Sequence, residues 1–520
     1  MLFNSVHFLI FFPTVVLLYF VLPRRARSFC LLLASYVFYM GWNLKYALLL
    51  FFSTAITYGA ALLVERSRSQ NKVYANARLI LIVSLVLTFC LLFYYKYLNF
   101  ALSTVARAFS LLHINVSVPQ FDIILPVGIS FFTFQVAGYL IDVWRGDITA
   151  ERNFFRYALF ASFFPQLVAG PIERSRNLLV QLEKPAPFDF ARAKSGILTM
   201  LYGYLLKMVV ADRAAVLVDF VFANDATTGV QVAFATFIFA FQIYCDFYGY
   251  SVIAAGAARV LGISLMENFN APYFAVSFKD FWRRWHISLS TWFRDYLYIP
   301  LGGSRRGRIR KNVNTMLVML ASGIWHGAGF HFVAWGFLNG IFQVFDDLTG
   351  SWRKRIEEQA EKRGVTMSFA LETIGKKLGG SDRPSLHFCI TLSSLWHLLQ
   401  SAATFCGVCL CWLFFRASSL RTAVRYVWQI LFSPQLSTLR KDWLLKYGMD
   451  KTELKFLLGS IVVLLIVDFL KYKGVRLQDA LLQRSWLLQA AAIIVAVLVL
   501  AVAGVWGAGY NAASFIYFQF

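Results

Sequence analysis

Long apolar runs alternate with short basic tracts along the whole chain. A helix that crosses a bilayer needs about 20 mainly apolar residues, and runs of this kind predict about eleven spans. Residues 101–117 are less apolar and are predicted to lie in the interface, whereas residues 154–170, interrupted by Pro165, favour a re-entrant hairpin. The pattern therefore predicts an all-α integral membrane protein with spanning, re-entrant and interfacial helices. The predicted spans are residues 8–22, 29–42, 47–64, 79–98, 123–141, 193–222 (one helix or two), 230–262, 313–345, 388–415, 456–470 and 486–507.

The composition supports this interpretation. Of the 520 residues, 59% are hydrophobic and only 15% are charged, against roughly 25% charged residues in soluble globular proteins. We expect one membrane-embedded domain over residues 1–520, with a core at about 120–345, a polar insert at about 350–387, and C-terminal helices and a tail at 388–520. The first apolar run has no basic residues before it and no small-residue cleavage site, so we expect it to remain as a membrane helix.

The net charge of +23 is explained by membrane orientation. Lysine and arginine cluster in short loops between apolar runs, as positive-inside orientation produces. The loop Lys279–Lys311 holds nine basic residues and two acidic ones, so it is predicted to face the cytoplasm. The lipid bilayer is therefore the expected partner of this charge, and nucleic acid is not. No internal repeat of the kind that marks many transporters is visible.

One ionisable residue stands out in an apolar run, in the segment MLVMLASGIWHGAGF. His326 is flanked there by Trp325 and Gly327. A titratable group at membrane depth is costly and is a functional candidate by default. A dehydrated imidazole stays neutral, so it can take a proton from a hydroxyl that attacks an acyl group. The alternative is a structural histidine bonded to a neighbouring helix.

A second histidine lies in the tract WRRWHISLSTW. On a continuous helix, Trp285 would lie on the aromatic side, while His286 and Ser290 would lie one turn apart. We expect an aromatic helix at the cytoplasmic surface with His286 turned inward. The alternative is an interfacial anchor without chemistry.

Charged residues near these histidines are further candidates. Arg283, Arg284 and Arg294 are suited to the phosphates of coenzyme A, because guanidinium groups bind phosphate through paired donors; the alternative is orientation and contact with anionic lipid. Asp246, inside an apolar helix, is predicted to orient an imidazole, to bind a substrate hydroxyl, or to form an interhelical hydrogen bond. His331 follows His326 closely, but the carboxylate and spacing of a zinc motif are absent, so no metal is predicted.

The tract FWRRWHISLSTWFRDYLYIPLGG, followed by GIWHGAGFHFVAWGFLNG, resembles the membrane-bound O-acyltransferase superfamily. FFPQLVAGPIER, LPVGISFFTFQ, YCDFYGYS, MENFNAPY and the terminal SFIYFQF are similar to the bacterial branch that O-acetylates cell-envelope polysaccharides such as alginate and peptidoglycan. The resemblance implies a helical bundle around a central funnel, with His326 as the principal catalytic residue and His286 as the second. The residues then expected to bind donor or substrate are Asp246, Trp285, Ser290, Arg283, Arg284, Arg294, Trp325 and Tyr517.

The resemblance also implies a reaction and a location. Acetyl-CoA would be the donor on the cytoplasmic side of the bacterial inner membrane, and a periplasmic or membrane-anchored acetyltransferase partner would complete transfer to the polysaccharide. The tail Phe515–Phe520 would take part, with Tyr517 as either a transient acyl carrier or a docking element. Two other functions stay open: a proton-coupled transporter or flippase that uses His326 and Asp246 as a relay, and a structural subunit of an export complex. The acceptor is not specified by the sequence.

Overall fold

The structure is a computed structural model, and it describes residues 1–69, 74–168, 170–224, 226–362, 366–369, 388–439 and 449–506. Most of these residues are helical, which confirms the predicted helical membrane fold. The helices are α1 (Val6–Val21), α2 (Arg24–Met40), α3 (Leu44–Ser69), α4 (Tyr74–Leu111), α5 (Ile129–Arg145), α6 (Phe154–Ser162), α7 (Phe164–Leu167), α8 (Ser175–Glu183), α9 (Phe190–Tyr204), α10 (Asp212–Ala223), α11 (Gly229–Val260), α12 (Phe278–Arg284), α13 (Ile287–Phe293), α14 (Gly307–His326), α15 (Phe330–Lys362), α16 (Leu392–Arg416), α17 (Leu420–Phe432), α18 (Lys451–Tyr472), α19 (Leu477–Leu482) and α20 (Trp486–Ala503).

Five helices in the described part of the chain are long and apolar enough to cross a membrane. The other predicted spans are shorter, broken or more polar. Residues 313–345, for example, belong to two antiparallel helices, α14 and α15, and the predicted interfacial segment begins as a continuation of α4. The five helices are Leu44–Arg68, Asn76–Leu111, Gly229–Val260, Ser393–Arg416 and Trp486–Ala503; Val6–Val21 is apolar but shorter.

Helix α11 forms the centre of the bundle and contacts α9 backbone to backbone. Two glycine pairs make this approach possible. A Cβ added at Gly256 would lie 2.6 Å from the carbonyl oxygen of Gly196, and one at Gly203 would lie 2.7 Å from that of Gly249. Small residues at such seams allow membrane helices to pack closely.

The segment expected to form a re-entrant hairpin is two short helices, α6 and α7, separated at Phe163. The described residues from 157 to 168 are buried. Gln135 and Gln166 donate side-chain hydrogen bonds to the Phe160 carbonyl at 2.7 and 3.0 Å, and the Phe164 N–H donates to Ser35 Oγ at 3.1 Å. The interrupted backbone is therefore enclosed in protein, which is the condition for irregular backbone at membrane depth.

The predicted polar insert begins inside a helix that also contains the preceding apolar segment. Helix α15 runs without a break from the apolar segment to Lys362. Within residues 366–369 and 388–391, β1 (Thr366–Phe369) and β2 (Phe388–Thr391) form an antiparallel pair, with Thr366 opposite Thr391 and Phe369 opposite Phe388. This pair is the strand structure in the described ranges. Two π-helical segments, Leu205–Ala211 and Arg294–Tyr298, interrupt α-helical regions.

Candidate active site

His326 ends α14 inside an aromatic enclosure. Its residue is 4% exposed. The centre of its ring lies 4.8 Å from that of Trp325, 4.8 Å from that of Trp335 and 5.3 Å from that of Phe415. These rings remove most water from the imidazole, as the apolar sequence around it predicted.

The α14–α15 hairpin fixes where this helix ends. A Cβ at Gly323 would lie 2.3 Å from the Phe332 carbonyl oxygen, and one at Gly336 would lie 2.4 Å from that of Met319. Glycine at these two positions lets the helices touch along their backbones. The turn between them begins at Gly327, directly after His326.

Two side chains from α4 cap the end of α14. Lys96 Nζ donates to the carbonyl oxygens of Trp325 at 2.8 Å and His326 at 2.7 Å. The Tyr97 hydroxyl donates to the Ile324 carbonyl at 2.8 Å. The last carbonyls of a helix lack intrahelical partners and carry the negative end of the helix dipole, so a lysine is well placed to satisfy them.

His286 lies at a break between α12 and α13, so the predicted continuous helix is wrong. Its φ is +43°, in the left-handed region, and Trp285 before it has extended backbone. The break is held from outside the helix, because the Asn268 carbonyl accepts from Ile287 N–H at 3.0 Å. His286 is completely buried, as expected of a histidine turned inward, and is not at a surface.

The Asn268 side chain determines which nitrogen of His286 carries the proton. Asn268 Oδ1 accepts from the Ser288 backbone N–H at 3.1 Å and from the Ser288 hydroxyl at 2.9 Å. Because a backbone N–H can only donate, this atom is the amide oxygen, and the Nδ1–H tautomer of His286 donates to it over 3.2 Å; the Ser288 hydroxyl also lies 3.4 Å from Nδ1. In the neutral ring Nε2 is then an acceptor, and it has no hydrogen-bond partner among the described residues.

Trp325 brings the two histidines together. Its ring centre lies 6.1 Å from that of His286 and 4.8 Å from that of His326. Phe131 packs on the same group, at 6.3 Å from the His286 ring and 5.6 Å from the Trp325 ring. Two histidines that are forty positions apart in sequence therefore share one buried aromatic cluster.

A large cavity of about 640 Å³ opens beside α13 and α14. Arg283, Arg294 and Ser290 line it, as do several further polar and basic groups. Lys311 is hydrogen-bonded to Asp347 there and holds the pKa of that carboxyl below its usual value, so the carboxylate offsets one positive charge. The cavity reaches Ser322, one helical turn before His326. Its other lining residues are Lys279, Trp282, Ile287, Leu289, Thr291, Phe293, Tyr298, Ser304, Asn312, Thr315, Val318, Met319 and Gln343.

Arg284 and Trp285, which are predicted to bind donor or substrate, lie outside the lining of this large cavity. Arg284 pairs with Asp280 at 3.0 Å and lies 4.9 Å from the centre of the Tyr472 ring. Trp285 is buried in an aromatic group, with ring centres 4.9 Å from Trp412 and 5.0 Å from Phe269. Arg284 and Trp285, the two residues directly before His286, therefore contact other protein groups, and they do not line the large cavity.

A second, small cavity of about 50 Å³ lies next to His326. His326, Trp325 and Lys96 line it, together with Val168 and residues 125–131. His326 thus lines the small cavity directly and lies one helical turn from the large one.

Asp246 belongs to a buried ionic triad. Lys207 Nζ lies 2.7 Å from Asp246 Oδ1 and 2.7 Å from Asp212 Oδ1. The three side chains are 2%, 3% and 5% exposed for Lys207, Asp246 and Asp212. Of the three predicted roles, the geometry matches the interhelical contact most directly, because Lys207 comes from the π-helical segment and Asp246 from α11.

Sequence reasoning missed Lys96, Asn268 and Trp335. Lys96 is the only charged residue within the predicted span 79–98, so the rule that selected His326 also applies to it. Nothing in the sequence near Asn268 indicates its contact with His286, which lies eighteen positions away. Tyr517 lies outside the described residues. Within the ranges that the structure describes, no group of three or more His, Cys, Asp or Glu side chains is placed to hold a metal ion.

This chain is similar to one protein family and to several known proteins. The membrane-bound O-acyltransferase family matches residues 147–381. The chain is 37% identical over 351 residues to a probable alginate O-acetylase of Pseudomonas aeruginosa, covering 67% of this chain and 66% of that protein. It is 32% identical over 462 residues to the peptidoglycan O-acetyltransferase of Helicobacter pylori, covering 82% and 79%.

A more distant similarity is to the teichoic acid D-alanyltransferase of Streptococcus thermophilus, at 29% identity over 258 residues, covering 46% of this chain and 61% of that protein. All three relatives are named as enzymes that transfer an acyl group. The family match includes His286, His326 and the large cavity. The chain therefore belongs to the membrane-bound O-acyltransferase family and is an acyltransferase.

Proposed function

We propose that the protein takes acetyl groups from cytoplasmic acetyl-CoA and passes them across the bacterial inner membrane for O-acetylation of a cell-envelope or extracellular polysaccharide. The observation that carries this proposal is that His326 lines the small cavity and lies one helical turn after Ser322, which lines the large cavity. The relatives named for alginate and peptidoglycan O-acetylation support an envelope polysaccharide as the acceptor.

The large cavity is the proposed donor site. Arg283 and Arg294 are exposed there and lie in the loop that is predicted to face the cytoplasm. Coenzyme A carries phosphates, which guanidinium groups bind through charge-assisted hydrogen bonds. Ser290 and Ser322 add polar groups to the lining, and Ser322 lies one helical turn before His326. This arrangement suits a donor whose anionic part stays at the mouth while its thioester extends inward.

The acceptor side is the proposed role of the small cavity. The 20 residues of α14 span about 30 Å, roughly the thickness of the hydrocarbon core. The basic loop precedes one end of this helix and His326 lies at the other. A multi-pass bundle with about eleven spans and a funnel at this end would present the acetyl group to a periplasmic or membrane-anchored partner.

His326 is the proposed general base. The acceptor oxygen attacks the carbonyl carbon of the acetyl thioester while its proton moves to the imidazole. The tetrahedral oxyanion then re-forms the carbonyl, the C–S bond breaks, and the proton passes from the imidazolium to the coenzyme A sulfur. His286 keeps an accepting Nε2 in the same cluster and is the proposed second catalytic residue. Tyr517 as an acyl carrier stays a prediction.

The direct test uses purified protein in detergent. Acetyl-CoA labelled in the acetyl group is supplied with an acceptor oligosaccharide or with the partner acetyltransferase, and labelled ester and free thiol are measured together. We expect thiol release and label transfer with no proton gradient. A transporter predicts no thiol release in detergent and flux that depends on the gradient, which would overturn the proposal.

The donor site makes a further prediction. Replacing Arg283 and Arg294 together with glutamine should raise the KM for acetyl-CoA by about tenfold or more and change kcat little, because each charge-assisted hydrogen bond contributes roughly 1.5–3 kcal/mol to ground-state binding. Arg310→Gln is the matched control: it removes a positive charge from the same loop outside the cavity lining. An equal rise in KM in the control would mean that the loop acts only through its total charge.

A further inference from the structure

The ammonium group of Lys96 lies beside His326 and lines the same small cavity. It reaches this place from α4, 230 positions earlier in the chain. Its two hydrogen bonds go to consecutive carbonyls at the end of α14, and Nζ lies 5.9 Å from the centre of the Trp325 ring. A lysine in a membrane helix is costly, so its retention there needs a reason.

Capping of α14 uses two of the N–H donors of the Lys96 ammonium group. An ammonium has three N–H donors, and the two carbonyls that accept from Lys96 lie at one helix end. No third protein acceptor for Nζ is present within the described ranges. The residue is half-buried rather than fully enclosed, and the cavity is the open space next to it. The third N–H is therefore available to a molecule in the small cavity.

We propose that Lys96 is a catalytic residue that binds the oxyanion formed during acyl transfer. This inference rests on the proposed function. When the acceptor oxygen adds to the thioester carbonyl, the π-electron pair moves to the carbonyl oxygen and the hydroxyl proton moves to His326. The third N–H of Lys96 donates to that oxygen until the C–S bond breaks and the carbonyl re-forms. Because α14 carbonyls fix the ammonium beforehand, it needs little rearrangement as the charge develops.

The neighbouring Tyr97 offers a matched control, because it caps the same helix end through a neutral hydroxyl. Lys96→Met should lower kcat by about 100- to 1000-fold, the usual effect of losing one oxyanion donor. It should leave the Kd for acetyl-CoA at the large cavity within about threefold. Tyr97→Phe should lower kcat by less than about tenfold, since only one neutral hydrogen bond is lost. Steady-state acetyl transfer in detergent gives kcat, and calorimetry gives Kd.

The outcomes separate this inference from the proposed function. If the wild-type protein releases no thiol from acetyl-CoA, the proposed function fails. If wild type transfers acetyl and Lys96→Met keeps kcat within about threefold, or if Tyr97→Phe is equally impaired, Lys96 is only a helix cap and the inference is overturned.

A chemical rescue covers the case in which Lys96→Met does not fold. Lys96→Cys treated with 2-bromoethylamine regains an ammonium at the same reach, whereas iodoacetamide gives a neutral amide. We expect recovery of kcat by about tenfold or more with the amine alone. Equal results with the two reagents in folded protein would contradict the proposal. Wild type receives both treatments, because Cys90 and Cys406 are exposed.

Discussion

Replacing His326 with alanine should lower acetyl transfer by about a hundred- to ten-thousand-fold, the contribution of a positioned general base. The imidazole is enclosed by Trp325, Trp335 and Phe415, so water has little access to replace it. The acetyl-CoA Kd should change little, because the large cavity ends one turn away. The rate is measured as labelled ester formed by purified protein, with binding measured on the same preparation.

His331→Ala is the control for this prediction. His331 lies five positions further along, is half-buried and contacts Phe332 with a ring-centre distance of 4.2 Å. It lines neither cavity, and its removal should keep transfer within about threefold. Wild-type transfer by folded His326→Ala would remove the general-base role. Equal losses in both variants would point to damage to the α14–α15 turn.

Replacing Lys207 with methionine should destabilise the protein by about 3–5 kcal/mol, because it removes the cation that the buried carboxylates of Asp212 and Asp246 both contact. Both oxygens lie 2.7 Å from Nζ, and all three side chains are almost fully buried. The free energy of unfolding is measured by reversible denaturation in mixed micelles, and the thermal midpoint in detergent serves as a second measure.

Two variants test the electrostatic cause of this effect. Lys194→Met removes a partly buried lysine from the neighbouring α9, where its Nζ donates to Gln489 Oε1 at 2.6 Å, and should cost about 0.5–1.5 kcal/mol. Adding Asp212→Asn and Asp246→Asn to Lys207→Met should restore much of the stability, since the two carboxylate charges are then removed together with the lysine charge. If Lys207→Met alone is as stable as wild type, the triad does not act as a compensated charge group.

The sequence predicts the helical membrane fold well because each apolar run carries its own hydrophobic signal. It predicts less well where one run contains two helices. Residues 313–345 turn at Gly327, and this turn depends on Gly323 and Gly336 meeting in the folded hairpin. Only the tertiary contact distinguishes that hairpin from a single long span.

The site shows the same division between local and distant causes. His326 and His286 were predicted, and the structure places both against Trp325. The break in the helix at His286 is not predicted from the sequence. The local pattern of that tract is helical, and the break depends on hydrogen bonds with Asn268, eighteen positions away. The sequence identifies Asp246 as a charged residue inside an apolar helix. Its pairing with Lys207 depends on the contact between α11 and the π-helical segment Leu205–Ala211. Isolated charges can be predicted from sequence, whereas their pairings depend on the folded bundle.

The glycine seam between α9 and α11 limits how this enzyme can move. With backbone atoms already in contact at Gly196 and Gly203, the seam has no width for a lipid tail, a pantetheine arm or a column of water. It acts as a fixed wall of the bundle. We therefore expect any widening during a catalytic cycle to occur away from this seam, where the chain is interrupted at His286 and again in the π-helical segment Arg294–Tyr298.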